Sequence, residues 1–256
     1  MKKFNLKKKE AFYFDKIAKT YQKNLRFSES GKYIEFFHRK IILAKISSNC
    51  GPRYLDLGCG DGTISKYILT KNKKIKEATF VDFSKNMLKL IKKNTKSLSD
   101  LKKRYILSDI SKLKIKKKYN LIIAVGICGH ITNLENLIKI LKKNLKPDGK
   151  ILFQYTKKNH LFSIIYRFIM SKKKHRNNNE EYSWHSTRLI INKLQKHNLK
   201  IQKKYNYKIG IPFLDFFSPK LNYFIEKKFQ LFGRYLGTET IMVITNEKKY
   251  NQTLEK

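Results

Sequence analysis

Apolar residues gather in short runs along this chain, and longer stretches with helical spacing separate them. The runs are Tyr54-Leu55-Asp56-Leu57, Ala78-Thr79-Phe80-Val81-Asp82, Arg104-Tyr105-Ile106-Leu107, Leu121-Ile122-Ile123-Ala124-Val125 and Ile151-Leu152-Phe153-Gln154-Tyr155. Near-continuous runs of this kind suit strands covered on both faces. The clearest helix between them has Leu134, Leu137, Ile138, Leu141 and Leu145 at helical spacing, with Asn133 as its N-cap and Glu135 in its first turn. Lys146-Pro147-Asp148-Gly149 reads as a turn, with Pro at its second position and Gly at its fourth. Strand–helix alternation predicts a parallel, doubly wound α/β sheet with right-handed crossovers.

Two segments frame this core. Residues 8–48 read as two helices, from Phe12 to Tyr21 and from Ser30 to Ser47. After the fifth strand come a basic, aromatic stretch (His160 to Trp184), a helix (Ser186 to His197) and a strand (Ile201 to Tyr207). An aromatic segment (Phe213 to Tyr235) and a strand (Thr238 to Thr245) close the chain. The last two strands suit an antiparallel edge, which makes a mostly parallel seven-stranded sheet with helices on both faces. There is no internal repeat and no Pro/Gly/Ser linker. The expected organisation is one domain over 1–256: a helical cap (1–50), a binding core (51–156), and a lid insertion with the sheet edge (157–256).

Composition changes this picture less than its size suggests. With 41% apolar residues in 256, the chain can bury a core despite a formal net charge of +39. Lys, Asn and Ile, whose codons are A/T-rich, together fill 100 positions, whereas Ala fills five and Pro four. Much of the charge therefore reads as compositional drift; the alternative is a polyanionic partner, nucleic acid or a membrane. Three cysteines, Cys50, Cys59 and Cys128, form no C-x-x-C pair, which argues against a disulfide framework or a metal site and for a reducing, cytoplasmic setting. Met1 to Glu10 has no apolar core and does not read as a signal peptide, and no run approaches the ~18 apolar residues of a spanning helix.

The chemistry concentrates at Tyr54-Leu55-Asp56-Leu57-Gly58-Cys59-Gly60-Asp61-Gly62-Thr63. A strand carrying an acid runs into three alternate glycines and then a helix starting near Thr63. Glycines there permit positive φ and close approach of a ligand. The spacing is G-x-G-x-G, and the carboxylates Asp56 and Asp61 would repel a pyrophosphate but hold a cation. Asp82 ends the second strand 20 residues after Gly62, where an acid commonly accepts hydrogen bonds from ribose hydroxyls. Ser108-Asp109-Ile110 ends the third strand. Three acids would thus stand at the carboxyl edge, where open α/β sheets bind ligands. Four of the chain's eight aspartates fall there.

From Tyr54 to Tyr155 the chain resembles the class I S-adenosylmethionine-dependent methyltransferases, small-molecule branch. The glycine loop, Val81-Asp82-Phe83-Ser84-Lys85-Asn86-Met87-Leu88 and Leu145-Lys146-Pro147-Asp148-Gly149-Lys150-Ile151-Leu152 match that family's motifs, and Phe14-Asp15 with Ala18 and Tyr21 resembles its N-terminal helix. The resemblance implies a Rossmann-like fold with S-adenosyl-L-methionine as cofactor. It places Asp56 and the Gly58, Cys59, Gly60, Asp61, Gly62 loop at the methionine part, Asp82 at the ribose, and Asp109 at the adenine amino group. Phe83 and Ile110 would pack on the adenine, and Tyr21 would join the cofactor site.

Methyl transfer from a sulfonium asks chiefly for positioning in a dry pocket. An oxygen acceptor also needs a base, and the candidates are His130, past the fourth strand, and His185, in Tyr182-Ser183-Trp184-His185. A structural role is the alternative for both, and Cys128, preceded by Ile127, reads as a buried structural thiol. The segment 157–182, with Lys157, Lys158, Arg167, Lys172, Lys173, Lys174 and Arg176 around Leu161 to Met170, sits where an acceptor lid is commonly inserted. It reads either as a lid meeting an anionic or lipid-linked acceptor or a membrane surface, or as a core-packing helix with solvated lysines. Phe213 to Phe217 and Tyr223-Phe224 would line the acceptor pocket or join the core. The expected activity is methylation of a small-molecule, lipid or glycan-precursor acceptor. An RNA methyltransferase, favoured only by charge, and a catalytically silent binding protein are the alternatives.

Overall fold

The computed structural model describes residues 11–18, 20–21, 31–173, 183–211 and 214–247. The first ten residues, the Asn177 to Glu181 stretch, Lys174, Arg176, Tyr182 and Phe213 lie outside them. Helix α1 covers residues 11–18. Then follow α2 (Gly31–Ser47), β1 (Arg53–Leu57), α3 (Thr63–Lys71), β2 (Glu77–Asp82), α4 (Lys85–Asn94) and β3 (Lys102–Leu107). Next come β4 (Tyr119–Ala124), α5 (Leu134–Asn144), β5 (Leu145–Thr156), α6 (Leu161–Lys173), α7 (Thr187–Lys196) and β6 (Leu199–Tyr207). The chain closes with α8 (Leu214–Phe217), α9 (Pro219–Lys228), α10 (Gln230–Leu236) and β7 (Glu239–Asn246). Short 3-10 turns cover Ile110–Lys112 and Cys128–His130.

The strands form one seven-stranded sheet in the order β3-β2-β1-β4-β5-β7-β6. Strands β1 to β5 pair in parallel, whereas β7 runs antiparallel to both β5 and β6. The antiparallel edge expected from the last two strands is present, with β7 inserted and β6 outermost. The outermost strands β3 and β6 are rich in lysine, which discourages pairing with further strands.

The side chains of the central strands alternate between two cores, as period-2 geometry requires. Leu55, Leu57, Ile122, Ala124, Ile151, Phe153, Met242 and Ile244 pack on one face with Leu137, Ile138 and Leu141 of α5 and Ile190 and Leu194 of α7. Tyr54, Leu121, Ile123, Leu152, Ile241 and Val243 pack on the other with Leu43 of α2, Ile68 of α3, and Leu88 and Ile91 of α4. Asn133 and Ser186 cap α5 and α7 by accepting from Asn136 N and Leu189 N. Glu135 ties these two helices together, 2.8 Å from Lys193 Nζ and 2.5 Å from His197 Nε2.

Two local expectations change. Lys146 to Gly149 lies within β5 rather than in a separate turn. The register explains it: Tyr119 pairs with Leu145 but Leu121 with Lys150, so residues 146–149 bulge from the ladder. Pro147 lacks an N–H and is tolerated where pairing is broken. Strand β3 is half exposed, because it is an edge strand rather than one covered on both faces.

Candidate functional site

Residues from α1, α2 and the carboxyl edge of β1 to β4 enclose one cleft. Asp56, Asp82 and Asp109 all line it, with Gly58, Cys59, Gly60, Asp61, Phe83, Ile110, Tyr21 and His130. Parallel pairing brings these positions together: Asp56 stands opposite Phe80 on β2 and Ile123 on β4, and Asp82 opposite Leu107 on β3. Gly62 is not in the lining. It starts α3 with φ +74°, and a Cβ there would fall 2.2 Å from Ile91 Cγ1. Only glycine fits both the backbone and the close packing of α3 on α4. Gly60 differs: an added Cβ would meet nothing within 4 Å, so its bare backbone edge faces open space in the cleft.

Each carboxylate is held in its own way. Asp56 is 2% exposed and accepts from Ser65 Oγ. Since the Ser65 proton goes to Asp56, the Tyr54 hydroxyl, 2.7 Å away, donates to Ser65. Burial raises the Asp56 carboxyl to about 7; the Ser65 hydrogen bond opposes this, and Asp82 and Asp61 reinforce it. Asp82 accepts Ser84 N–H on Oδ1 at 2.9 Å and Gly60 N–H on Oδ2 at 2.8 Å. Burial raises its pKa too, offset by these backbone donors. The Phe83 backbone N–H is a third donor to this carboxylate. Asp61 accepts from Thr63 N at 3.0 Å and Thr63 Oγ1 at 2.6 Å, which fixes the start of α3. Asp109 accepts Ser111 N–H at 2.8 Å.

Aromatic residues cover the cleft. Phe14 of α1 lies 5.7 Å from Phe83 and edge-on to the His130 ring at 5.4 Å. Asp15 anchors this helix on α4: Ser84 Oγ and Asn86 N donate to Asp15 Oδ1 at 2.5 and 3.0 Å. His185 does not line this cleft. It is buried behind it, with its Nε2 donating to the Ile131 carbonyl at 3.0 Å. Cys128 is buried beside His130, and burial pushes its thiol up to about 12, the behaviour of a structural thiol rather than a nucleophile.

Of the segment read either as a lid or as a core-packing helix, none of the described residues 157–173 lines this cleft. In α6, Leu161, Ile164, Ile165 and Phe168 face solvent, as do Phe217 and Phe224 farther on. They neither line the pocket nor join the core.

The sequence marks the cleft residues Phe14 and Arg39 only weakly. Phe14 reads only as part of a helix. Arg39 was not singled out, although it is nearly buried, lines the cleft and donates from Nε to the Tyr207 hydroxyl at 3.0 Å. Nothing in Phe36-Phe37-His38-Arg39-Lys40-Ile41-Ile42-Leu43 sets Arg39 apart from the adjacent Lys40.

A family model described as a methyltransferase domain matches residues 10–204. Malonyl-[acyl-carrier protein] O-methyltransferase 2 of Ilyobacter polytropus is 37% identical over 112 residues, covering 43% of this chain and 41% of that protein. Ubiquinone biosynthesis O-methyltransferase of Rickettsia prowazekii is 28% identical over 175 residues, covering 63% of this chain and 65% of that protein. The chain therefore spans less than two thirds of the length of these relatives. Among solved structures, an S-adenosylmethionine-dependent methyltransferase from Clostridium acetobutylicum superposes with a TM-score of 0.58 at 18% identity, covering 92% of this chain and 99% of that one. Magnesium protoporphyrin IX methyltransferase from Synechocystis, with bound SAH, gives 0.59 at 13% identity, covering 88% and 86%. At these identities the superpositions speak for the fold.

Proposed function

The chain belongs to the methyltransferase-domain family, and from that premise we propose that it transfers a methyl group from S-adenosyl-L-methionine to a small-molecule or lipid-linked acceptor. The observation that carries this reading is the meeting of Asp56, Asp82 and Asp109 in one cleft beside the open backbone edge of Gly60. That donor set fits a ligand with a cationic amino-acid end, a ribose diol and an adenine amino group. The cofactor supplies a methyl group already activated by the positive charge on sulfur.

The remaining work falls to the chain's own residues. Asp56, when ionised, holds the ammonium of the methionine part. Arg39 holds its carboxylate; β4 pairs with β1 beside Asp56, and Gly126, just beyond β4, faces the Arg39 guanidinium. Asp82 receives the ribose hydroxyls. Asp109 accepts from the adenine amino group, while Phe83 and Ile110 pack on the ring. Phe14 and Tyr21 keep water out, which strengthens each charge interaction. His130, which lines the cleft, orients the acceptor or takes the proton of an acceptor hydroxyl in this reading. Three buried thiols, Cys50, Cys59 and Cys128, fit a reducing, cytoplasmic setting.

The test is radiolabelled methyl transfer with purified protein, offered total lipid extract, a small-metabolite extract and total RNA. Label in the lipid or metabolite fraction supports the reading, and label in RNA alone overturns it. The curated relatives act, by name, on an acyl-carrier-protein-linked acid and in ubiquinone biosynthesis, so both chemical classes belong among the first acceptors tried.

A further inference from the structure

Two C-terminal helices carry their large apolar residues on the side that faces water. In α6, Leu161, Ile164, Ile165 and Phe168 recur at the spacing of one helical face, and all four are exposed, Phe168 by 61%. The inward side holds polar groups. Ser163 is buried, and the Arg167 guanidinium turns back to donate to the Ser163 and Lys158 carbonyls at 3.3 and 2.9 Å.

Helix α9 is inverted in the same sense. Asn222 and Glu226, one turn apart, are buried while Leu221 and Phe224 face out. The Glu226 carboxylate accepts Ile209 and Gly210 N–H at 3.0 and 2.8 Å. Helix α10 adds exposed Leu231, Phe232, Tyr235 and Leu236. The two regions meet where His160 Nε2 lies 2.7 Å from the Leu236 carbonyl, at the start of α6 and the end of α10. This junction follows the carboxyl end of β5 and precedes β7, so the apolar face stands at the same sheet edge as the cleft.

Charge selects the partner. Between residues 157–173 and 217–236 the sole carboxylate is Glu226, and it is buried. The cations accompany the rings: Lys227 Nζ stands over the Tyr223 ring at 5.9 Å, and Lys228 Nζ over Phe224 at 5.3 Å and Phe229 at 6.0 Å. Apolar side chains flanked by snorkelling lysines, with no exposed acid, match an interface of acyl chains below and phosphates above. Exposed apolar clusters of this kind mark interaction surfaces.

We propose that α6, α9 and α10 together form a docking face for an anionic lipid bilayer. Docking itself does not depend on methyl transfer. Its position at the sheet edge that carries the cleft favours, within the functional reading above, an acceptor that is lipid-linked.

The experiment is co-sedimentation of the full chain with vesicles of phosphatidylcholine, with and without phosphatidylglycerol. Binding is expected to the anionic vesicles and to weaken in high salt. Phe168→Glu and Phe232→Glu should each lower partitioning by about tenfold or more. Phe168→Ser and Phe232→Ser, which add no charge, should lower it in the same direction. Cofactor affinity by calorimetry should stay unchanged in all four, which shows that the fold persists. No sedimentation of the wild type overturns the proposal, and so do apolar variants that bind as wild type does. A wild-type dimer that Phe232→Glu dissociates, or preferred capture of a small acidic carrier protein over vesicles, makes the face a protein interface and overturns it as well.

Discussion

Ser84 Oγ donates a 2.5 Å hydrogen bond to the Asp15 carboxylate, across 69 positions of sequence. The same Ser84 oxygen accepts from Met87 N as the N-cap of α4, and its backbone N–H donates to Asp82. One serine thus joins Asp82 to the helix that covers the cleft. The Asp15 negative charge also lies at the start of α4, where the helix dipole favours it. Asp15→Ala removes two hydrogen bonds to its carboxylate and frees α1 and Phe14 from the cleft. Cofactor dissociation, followed by stopped-flow fluorescence, should speed by about tenfold, with little change in melting temperature.

Asp56 sets the pH response. With its carboxyl raised to about 7, it is largely neutral at pH 6 and largely ionised at pH 8. A cationic ammonium needs the ionised form. Cofactor affinity by calorimetry should therefore rise from pH 6 to pH 8, and fall by about tenfold per unit well below 7.

Stability runs the opposite way. A carboxyl whose folded pKa is raised contributes stability that is fully present below its unfolded pKa near 3.8 and is lost as pH rises through about 7. Asp56→Asn keeps an acceptor for Ser65 and carries no charge to bury. Without cofactor it should melt higher than wild type at pH 8, by up to about 4 kcal/mol in stability. The difference should shrink toward pH 4, and the variant should bind cofactor poorly at every pH.

These acids were legible because their positions follow from strand length alone. Asp56, Asp82 and Asp109 stand at or just past the ends of apolar runs, and parallel pairing does the rest. The helix caps Asn133 and Ser186 were legible for the same local reason. What escaped depends on contacts distant in sequence. Arg39 lines the cleft while Tyr207, 168 residues away, holds its Nε. The Lys146 to Gly149 bulge depends on register against β4. The outward face of α6 carries a helical apolar stripe in the sequence, but the stripe does not say which side the sheet takes. Tertiary packing makes that choice, leaving Ser163 inside and Leu161, Ile164, Ile165 and Phe168 outside.

Two glycines of the same loop should separate folding from binding. Gly62→Ala places a Cβ within 2.2 Å of Ile91 at φ +74°, so α3 and α4 must move apart. A loss of about 2–3 kcal/mol in thermal or urea unfolding is expected. Gly60→Ala at φ +51° meets nothing within 4 Å, so its fold should persist with about 1 kcal/mol of backbone strain. Its methyl group occupies the open edge of the cleft, and cofactor affinity should drop more than stability does.

The Arg39 and Tyr207 pair offers the sharpest test of how the cleft reads a zwitterion. Arg39 is nearly buried, so its charge is costly unless a partner offsets it. Tyr207 fixes Nε, which directs the terminal nitrogens toward the cleft beside Gly126. If those nitrogens hold the methionine carboxylate, Arg39→Met should weaken cofactor binding by about 10–100-fold, the range for a charge-assisted hydrogen bond. Tyr207→Phe leaves the charge in place and loosens only its aim, so it should cost less, about threefold to tenfold. The double variant should be no worse than Arg39→Met alone, because Tyr207 acts through the arginine. S-adenosylhomocysteine keeps the carboxylate and should lose affinity in step with the cofactor. 5′-Methylthioadenosine, which lacks the amino-acid end, should bind both variants as it binds wild type. Equal losses for all three ligands would show a collapsed cleft rather than a missing carboxylate partner.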